Sequence, residues 1–465
     1  MSEKRWNKEK ILKIDREHIW HPFTQMKDYE TRDPLIIVEG GGPRLKTIDG
    51  EWLYDTISSW WTNIHGHGHP ALMQAIAEQT KRLDHVIFAG FTHPYAVEVV
   101  ERLRKFLPKE LKRFFFSDDG STAVEVALKM AFQYWQNQGR KEKTRFVCLE
   151  HAYHGDTLGA VSVGGVDLFH QLYKPLTFKT FRVKAPYCYR CPENPSQGFT
   201  LEAKLPSCPL SCLEDLRKLL EERASEICAI IVEPRLLAAG GMIVYPREYL
   251  QGLVELARSH EVLVIFDEVA TGFGRTGTMF AMEQAGVVPD IVCLAKGLTG
   301  GCLPMALTVA KEEIYQAFYA DYLEGKTFFH GHSFTANPIA CAVAIASLKL
   351  FETEDPLTRG QKVRDHFHRL LVDLFADEPY VGDIRYIGYV GAIELVASKA
   401  KKEPFPPEKR VGFQIYLTSL KKGLILRPLG DVIYWFLPFC VTEEDVSEIL
   451  TRSRETIREV MAHIN

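Results

Sequence analysis

Six short apolar runs recur through the middle of the chain: KRFFFSDD, RFVCLE, ICAIIVEP, VLVIFDE, IVCLAKG and MALTVA. Segments of helical period stand between several of them. GSTAVEVALKMAFQYW places Val124, Ala127, Leu128, Ala131 and Trp135 on one helical face, and LEDLRKLLEERA and REYLQGLVELARSH fit as later crossovers. Strands that are apolar on both faces and alternate with helices argue for an α/β fold built on a large, mostly parallel sheet. This core is expected from about residue 70 to 335.

The runs share a second property, in that two of them deliver one ionisable residue beside glycines. Val262–Phe266 ends at Asp267 and Ile291–Ala295 ends at Lys296. Open α/β sheets bind ligands in the crevice outside the carboxyl ends of their strands, so this carboxylate and amine are expected to face one site. An apolar approach lowers a lysine's pKa by desolvation, which an amine that forms a Schiff base needs. The ordinary alternative is a surface lysine at a strand end. Asp267 could bond the protonated pyridine nitrogen of pyridoxal phosphate and keep the ring an electron sink, or merely cap the next turn. Gly120-Ser121-Thr122 opens a helix whose free N–H groups suit a phosphate, though Ser and Thr also serve as plain caps. Tyr153, in YHGD, is placed to stack on a planar cofactor or to pack its own loop.

Three other patterns compete for attention. GFGRTG (272–277) matches the dinucleotide fingerprint G-x-G-x-x-G, but DEVAT separates it from its strand and Asp290 precedes a strand instead of ending one. A nicotinamide dehydrogenase is therefore a weak alternative. Cys188-x2-Cys191 and Cys208-x3-Cys212 approach zinc-ribbon spacing, so either a structural zinc site or a loop of reduced, packed thiols is expected there. A zinc-stabilised interaction protein is the corresponding non-enzyme reading. His65, His67 and His69 alternate with glycines and lack carboxylate partners nearby in sequence; a tight packed turn without metal is expected.

The net charge of −4 gives no reason to expect nucleic acid or an anionic membrane as partner. No apolar run reaches the roughly 18 residues that a membrane helix needs. The charged N-terminus lacks a secretory apolar core, and scattered cysteines within apolar strands fit a reducing compartment, so the cytoplasm is the expected location. Residues 1–34 read as irregular. Leu35–Asp55 reads as antiparallel strands turned at Gly40–Gly42 and at Asp49-Gly50. Past about residue 345 the pattern changes to hairpin strands (VGDIRYIGYVGAIELV, GLILRPLGDVIYWFLPF) and a closing amphipathic helix. The expected domains are 1–69, joining a small α+β domain; 70–344, a large α/β domain; and 345–465, the rest of the small one.

FDEVATGFGRTG, CLAKGLTGG, FFHGHSFTANP, HIWHPFTQM, SSWW, SDDGSTAVEVALKMAFQYW, AYHGDTLGAVSVG and LRPLGDVIY together resemble the class III, fold-type I aminotransferases that use pyridoxal phosphate. The similarity runs from about residue 18 to the C-terminus. It is strongest to members that convert 8-amino-7-oxononanoate to 7,8-diaminononanoate in biotin synthesis. The resemblance implies a homodimer with shared sites and a set of roles. Lys296 would carry the cofactor and shuttle the proton, and Asp267 would pair with the pyridine nitrogen. Gly120 and Ser121 would cradle the phosphate, and Ser333 would reach the phosphate of the neighbouring subunit. Tyr153 would stack on the ring, and Glu233 would stand near it. Phe23, Trp60 and Trp61 would line the substrate tunnel, and Arg427 would hold the substrate carboxylate. Members that take the amino group from adenosylmethionine have a tyrosine where this chain has Phe23. PRLLAAGGM also lacks the usual glutamine, GHSF replaces GPTF, and Asp431 follows RPLG. Adenosylmethionine and lysine both stay open as donors, and another ω-amino acid or diamine aminotransferase is the second reading.

Overall fold

The computed structural model describes residues 6–194, 199–205 and 208–464. A seven-stranded sheet forms its centre, in the order Leu111–Ser117, Ala306–Lys311, Ile291–Leu294, Leu263–Asp267, Ile227–Val232, Arg145–Leu149, Phe181–Val183. Every pairing is parallel except the two made by Ala306–Lys311. Five of these strands have no exposed residue, as the apolar runs require of a sheet covered on both faces.

The helix Gly120–Asn137 shows how the cover is built. Asp119 caps it, with Thr122 answering in a reciprocal capping box. Its buried stripe, from Ala123 and Val124 to Ala131 and Trp135, lies on the sheet, where Trp135 Nε1–H donates to Cys228 O at 2.9 Å. A tryptophan so packed contributes about 3–5 kcal/mol by comparison with alanine.

A second apolar cluster gathers Phe367, Leu371, Ile384, Ile393, Trp435 and Ile449 around the antiparallel sheet Val381–Ile387, Val390–Leu395, Val432–Phe436. Tyr54, from the N-terminal strands, belongs to this cluster. The three N-terminal strands, Ile37–Gly41, Arg44–Thr47 and Trp52–Tyr54, make a sheet of their own and join the C-terminal part by backbone bonds. Tyr54 N–H donates to Gly423 O, Ile425 N–H to Tyr54 O, and Phe436 N–H to Thr56 O.

Two local expectations change. Residues 8–18 form a helix, Lys8–His18, capped by Asn7; it buries no residue fully, and its half-covered face, Lys8, Ile11, Leu12 and Asp15, holds only two apolar side chains among many charges. GLILRPLGDVIYWFLPF holds one strand instead of two. Leu424 makes only a single bridge to Tyr54, and Pro428, which has no N–H to give, interrupts any ladder before Val432.

Candidate active site

Asp267 is the last residue of its strand and pairs in register with Cys293, three residues before Lys296. The two ionisable ends therefore stand side by side at the carboxyl edge. Lys296 opens a tight 3-10 turn, Lys296–Thr299, at a left-handed φ of 49°. Burial pushes its amine down to about 8, while the charges of Asp267 and Glu233 pull the other way. Its Nζ lies 4.8 Å from the centre of the Trp61 ring.

Asp267 is nearly sealed from solvent and uses both carboxylate oxygens. Oδ1 accepts Val269 N–H at 3.0 Å, and Oδ2 stands 2.7 Å from Nδ1 of His154, whose side chain is fully buried. His154 Nε2 is buried without a partner among the described residues. Glu233 ends the Ile227–Val232 strand's approach, and its carboxylate accepts Tyr153 N–H and Ala238 N–H. Burial raises its pKa to about 7, against the opposing influence of His154. The Tyr153 ring lies parallel to His170 at 6.1 Å, and its hydroxyl donates to Asp156 at 2.7 Å.

Glycine is required at two points here. A Cβ on Gly120 would stand 2.6 Å from Val269 Cγ1, so only glycine lets the helix N-terminus close on the turn after Asp267. Gly155 has φ of +119°, and its Cβ would meet Ser121 Cβ at 2.2 Å. The hydroxyl of Ser121 donates to its own cap residue, Asp119.

A wall of aromatic residues stands over these strand ends. Ser58, Ser59, Trp60 and Trp61 all have positive φ (49°, 46°, 68° and 71°), a left-handed turn made without glycine. Such a backbone costs roughly 1–2 kcal/mol per residue, so its surroundings must hold it. Trp61 stacks on Phe436 and donates from Nε1 to Tyr434 OH. Trp60 meets Phe23 edge-on at 5.5 Å and carries the Arg427 guanidinium over its face at 4.8 Å. Arg427 also donates to Phe23 O. Ser333 is exposed, on the loop whose His330 ring lies 3.0 Å from Lys129 Nζ.

Thus Lys296, Asp267, Tyr153 and Glu233 cluster at the strand ends, Gly120 and Ser121 adjoin them, and Phe23, Trp60, Trp61 and Arg427 form one wall. Ser333 is not packed into this set. His154 was assigned no role by sequence reasoning. Its adjacency to Tyr153 is visible there, but its partner Asp267 lies 113 residues away. The donor set fits pyridoxal phosphate: an amine near neutrality for its aldehyde, a buried carboxylate for its ring nitrogen, and a close-packed helix N-terminus for its phosphate.

The competing patterns take other forms. No helix starts inside GFGRTG; the next is Met282–Ala285, and Arg275 from the motif is buried, donating to Leu437 O and Asn63 O. Cys188, Cys191, Cys208 and Cys212 are free thiols, and among the described residues no group of three or more His, Cys, Asp or Glu is arranged to hold a metal ion. The four thiols lie near one another: burial raises the Cys188 pKa, and the charges of Cys212, Cys208 and Cys191 add to it. The excursion is tied down by Thr200 N–H to Asp383 and Leu201 N–H to Ile384 O. A cavity of about 880 Å³ between Arg235, Arg247, Thr276 and Arg364 contains neither Lys296 nor Asp267. Among the described residues no helix is long and apolar enough to cross a membrane.

The Aminotransferase class-III family profile matches residues 26–457. The adenosylmethionine-8-amino-7-oxononanoate aminotransferase of Geobacter sulfurreducens is 46% identical over 446 residues, covering 96% of this chain and 97% of that protein. The Aquifex aeolicus protein of the same name is 43% identical, covering 97% of each. The crystal structure of the Methanocaldococcus jannaschii enzyme of that name superposes with a TM-score of 0.90 at 38% identity, over 97% of this chain and 99% of that one. An (S)-enantioselective ω-transaminase from Thermomicrobium roseum gives 0.91 at 31%, over 98% and 99%.

Proposed function

The chain belongs to the class-III aminotransferases, enzymes that use pyridoxal phosphate, and from that premise we propose that it transaminates 8-amino-7-oxononanoate to 7,8-diaminononanoate in biotin synthesis. The observation that carries the substrate reading is the wall: one tryptophan, Trp61, beside Lys296, and its neighbour Trp60 with an arginine laid over its face. Flat apolar faces suit a long acyl chain, and a guanidinium at its end suits the terminal carboxylate.

Pyridoxal phosphate, when bound, supplies the electron sink and carries the amino group from donor to acceptor. Lys296 is the amine that attaches it, aided by burial that keeps Nζ available in its neutral form. The same Nζ would be the base that moves the proton at the amine-bearing carbon of the substrate. Asp267 is the carboxylate for the ring nitrogen, and His154 holds it in orientation. Gly120 and Ser121 receive the phosphate, Tyr153 covers the ring, and Glu233 fixes the Tyr153 backbone. Arg427 binds the acceptor carboxylate, while Phe23, Trp60 and Trp61 enclose its chain.

The enzyme acts as a homodimer, with Ser333 reaching the phosphate of the neighbouring copy. Phe329 and Phe334, either side of Ser333, support this, being 80% and 64% exposed in the single chain. Its place is the cytoplasm, in keeping with ten free thiols.

The amino donor is adenosylmethionine or lysine. The test supplies 8-amino-7-oxononanoate with each donor separately and follows diaminononanoate by mass. Product with either donor supports the reading. No product with either, alongside turnover of ω-amino acids or diamines, contradicts it.

A further inference from the structure

The left-handed turn that presents Trp60 and Trp61 is strained, yet none of its four residues is glycine. Something outside it must hold it. Ser58 Oγ–H donates to Phe436 O at 2.6 Å and Trp61 Nε1–H to Tyr434 OH, while the connections of Ser59, between them, lead to two polar residues, Asp55 and His67. Asp55 is almost fully buried and stands just before the turn. Its Oδ2 accepts Ser59 Oγ–H at 2.7 Å and also lies 2.8 Å from His67 Nε2. Its Oδ1 has no partner among the described residues, so both bonds converge on one atom.

The direction of this chain of bonds can be read from its far end. Gly66 N–H donates to Asn63 Oδ1 at 2.7 Å, which fixes the orientation of that amide. Asn63 Nδ2–H then points at His67 Nδ1, 3.1 Å away. With Nδ1 accepting, Nε2 carries the hydrogen given to Asp55. His67 is in turn anchored by paired backbone bonds with Gly42, at 2.8 and 3.0 Å. The N-terminal sheet thus reaches through His67 and Asp55 to the hydroxyl of Ser59.

We propose that Asp55 and His67 are positioning residues, whose hydrogen-bonded clasp on Ser59 holds Ser58–Trp61 left-handed and so sets the tryptophan wall for the acceptor. A backbone of opposite hand would carry the following side chains around its axis in the opposite sense. Trp61 would leave Lys296, or Trp60 would leave Arg427. The clasp touches neither Lys296 nor Asp267, so its loss acts on the acceptor and spares the cofactor. The proposal rests on the wall being the acceptor's binding surface. Wild-type turnover tests that premise by itself; the variants test the clasp.

The experiment measures KM and kcat for 8-amino-7-oxononanoate, with visible absorbance of the bound cofactor, in the holoenzyme and its variants. His67→Ala is expected to raise KM by about tenfold, the loss of one buried charge-assisted bond, with kcat and absorbance near wild type. His67→Gln keeps a donor for Asp55 and is expected to restore KM. Ser59→Gly in the His67→Ala background is expected to recover most of the loss, because glycine adopts positive φ without a clamp. If His67→Ala does not fold, Asp55→Ala replaces it, removing the accepting oxygen itself; a raised KM is expected, recovered by adding Ser59→Gly. An unchanged KM overturns the proposal. So does a raised KM that neither His67→Gln nor the added Ser59→Gly corrects.

Discussion

The floor of the site and its wall are built by different means. The floor, with Lys296, Asp267, Glu233 and His154, stands at the carboxyl ends of neighbouring strands of the buried sheet, and Asp267 and Glu233 find partners in the loops at that edge. The wall, with Phe23, Trp60, Trp61 and Arg427, draws on both ends of the chain and on a backbone of the unfavoured hand. A rigid sheet fixes groups whose chemistry is common to the family. Segments that fold back from distant parts of the chain can change while the chemistry stays. In the function proposed above, the floor sets the reaction and the wall sets what reacts.

Substitutions separate the two. Lys296→Ala should remove turnover with every substrate, by at least about 10⁴-fold, since both cofactor attachment and proton transfer are lost. Steady-state rates with two unrelated amino donors check this; a loss confined to one donor would move Lys296 out of the floor. Asp267→Ala should cost about 10²–10³-fold in kcat, again for all substrates, by removing charge stabilisation in a buried site. Arg427→Ala should raise KM for the acceptor by roughly 10–100-fold, the value of a charged hydrogen bond, with kcat changed little. An uncharged ester of the acceptor should be insensitive to it. Equal losses for acid and ester would break the assignment.

The smallest effect concerns pH. Because burial lowers the Lys296 pKa to about 8 without cofactor, the fraction of neutral amine grows as pH rises through that value. The rate at which the cofactor-free protein takes up pyridoxal phosphate should rise about tenfold per unit below pH 8 and level off above it. A flat profile between pH 6 and 9, measured by stopped-flow absorbance, would detach the uptake step from this amine.

The same contrast explains what could be read from the residues. The apolar runs announce the sheet, and a charged residue closing such a run is visible as an exception, so Asp267 and Lys296 stand out. Tyr153 follows from a neighbouring strand end once the sheet is drawn, whereas Glu233 is reached only through the resemblance to the family. The role of His154 depends on a contact across 113 residues, which no local pattern encodes. The left-handed SSWW turn is illegible for a related reason. Nothing in Ser-Ser-Trp-Trp favours positive φ, and the hydrogen bonds that tie the turn, from Ser59 to Asp55 and from Ser58 to Phe436 O, are seen only in the folded chain. The Lys8–His18 helix is faint in the sequence because its half-covered face carries only Ile11 and Leu12 as apolar residues. The four cysteines offer metal-like spacing, and the structure adds the strand contacts that hold their loop.

The division between floor and wall is tested most directly by titrating three cofactor-free proteins, wild type, Arg427→Ala and Lys296→Ala, with pyridoxal phosphate while following visible absorbance. The account predicts the same band with similar affinity in wild type and Arg427→Ala, and no such band in Lys296→Ala. A band in Lys296→Ala like that of wild type, or its loss in Arg427→Ala, would contradict it.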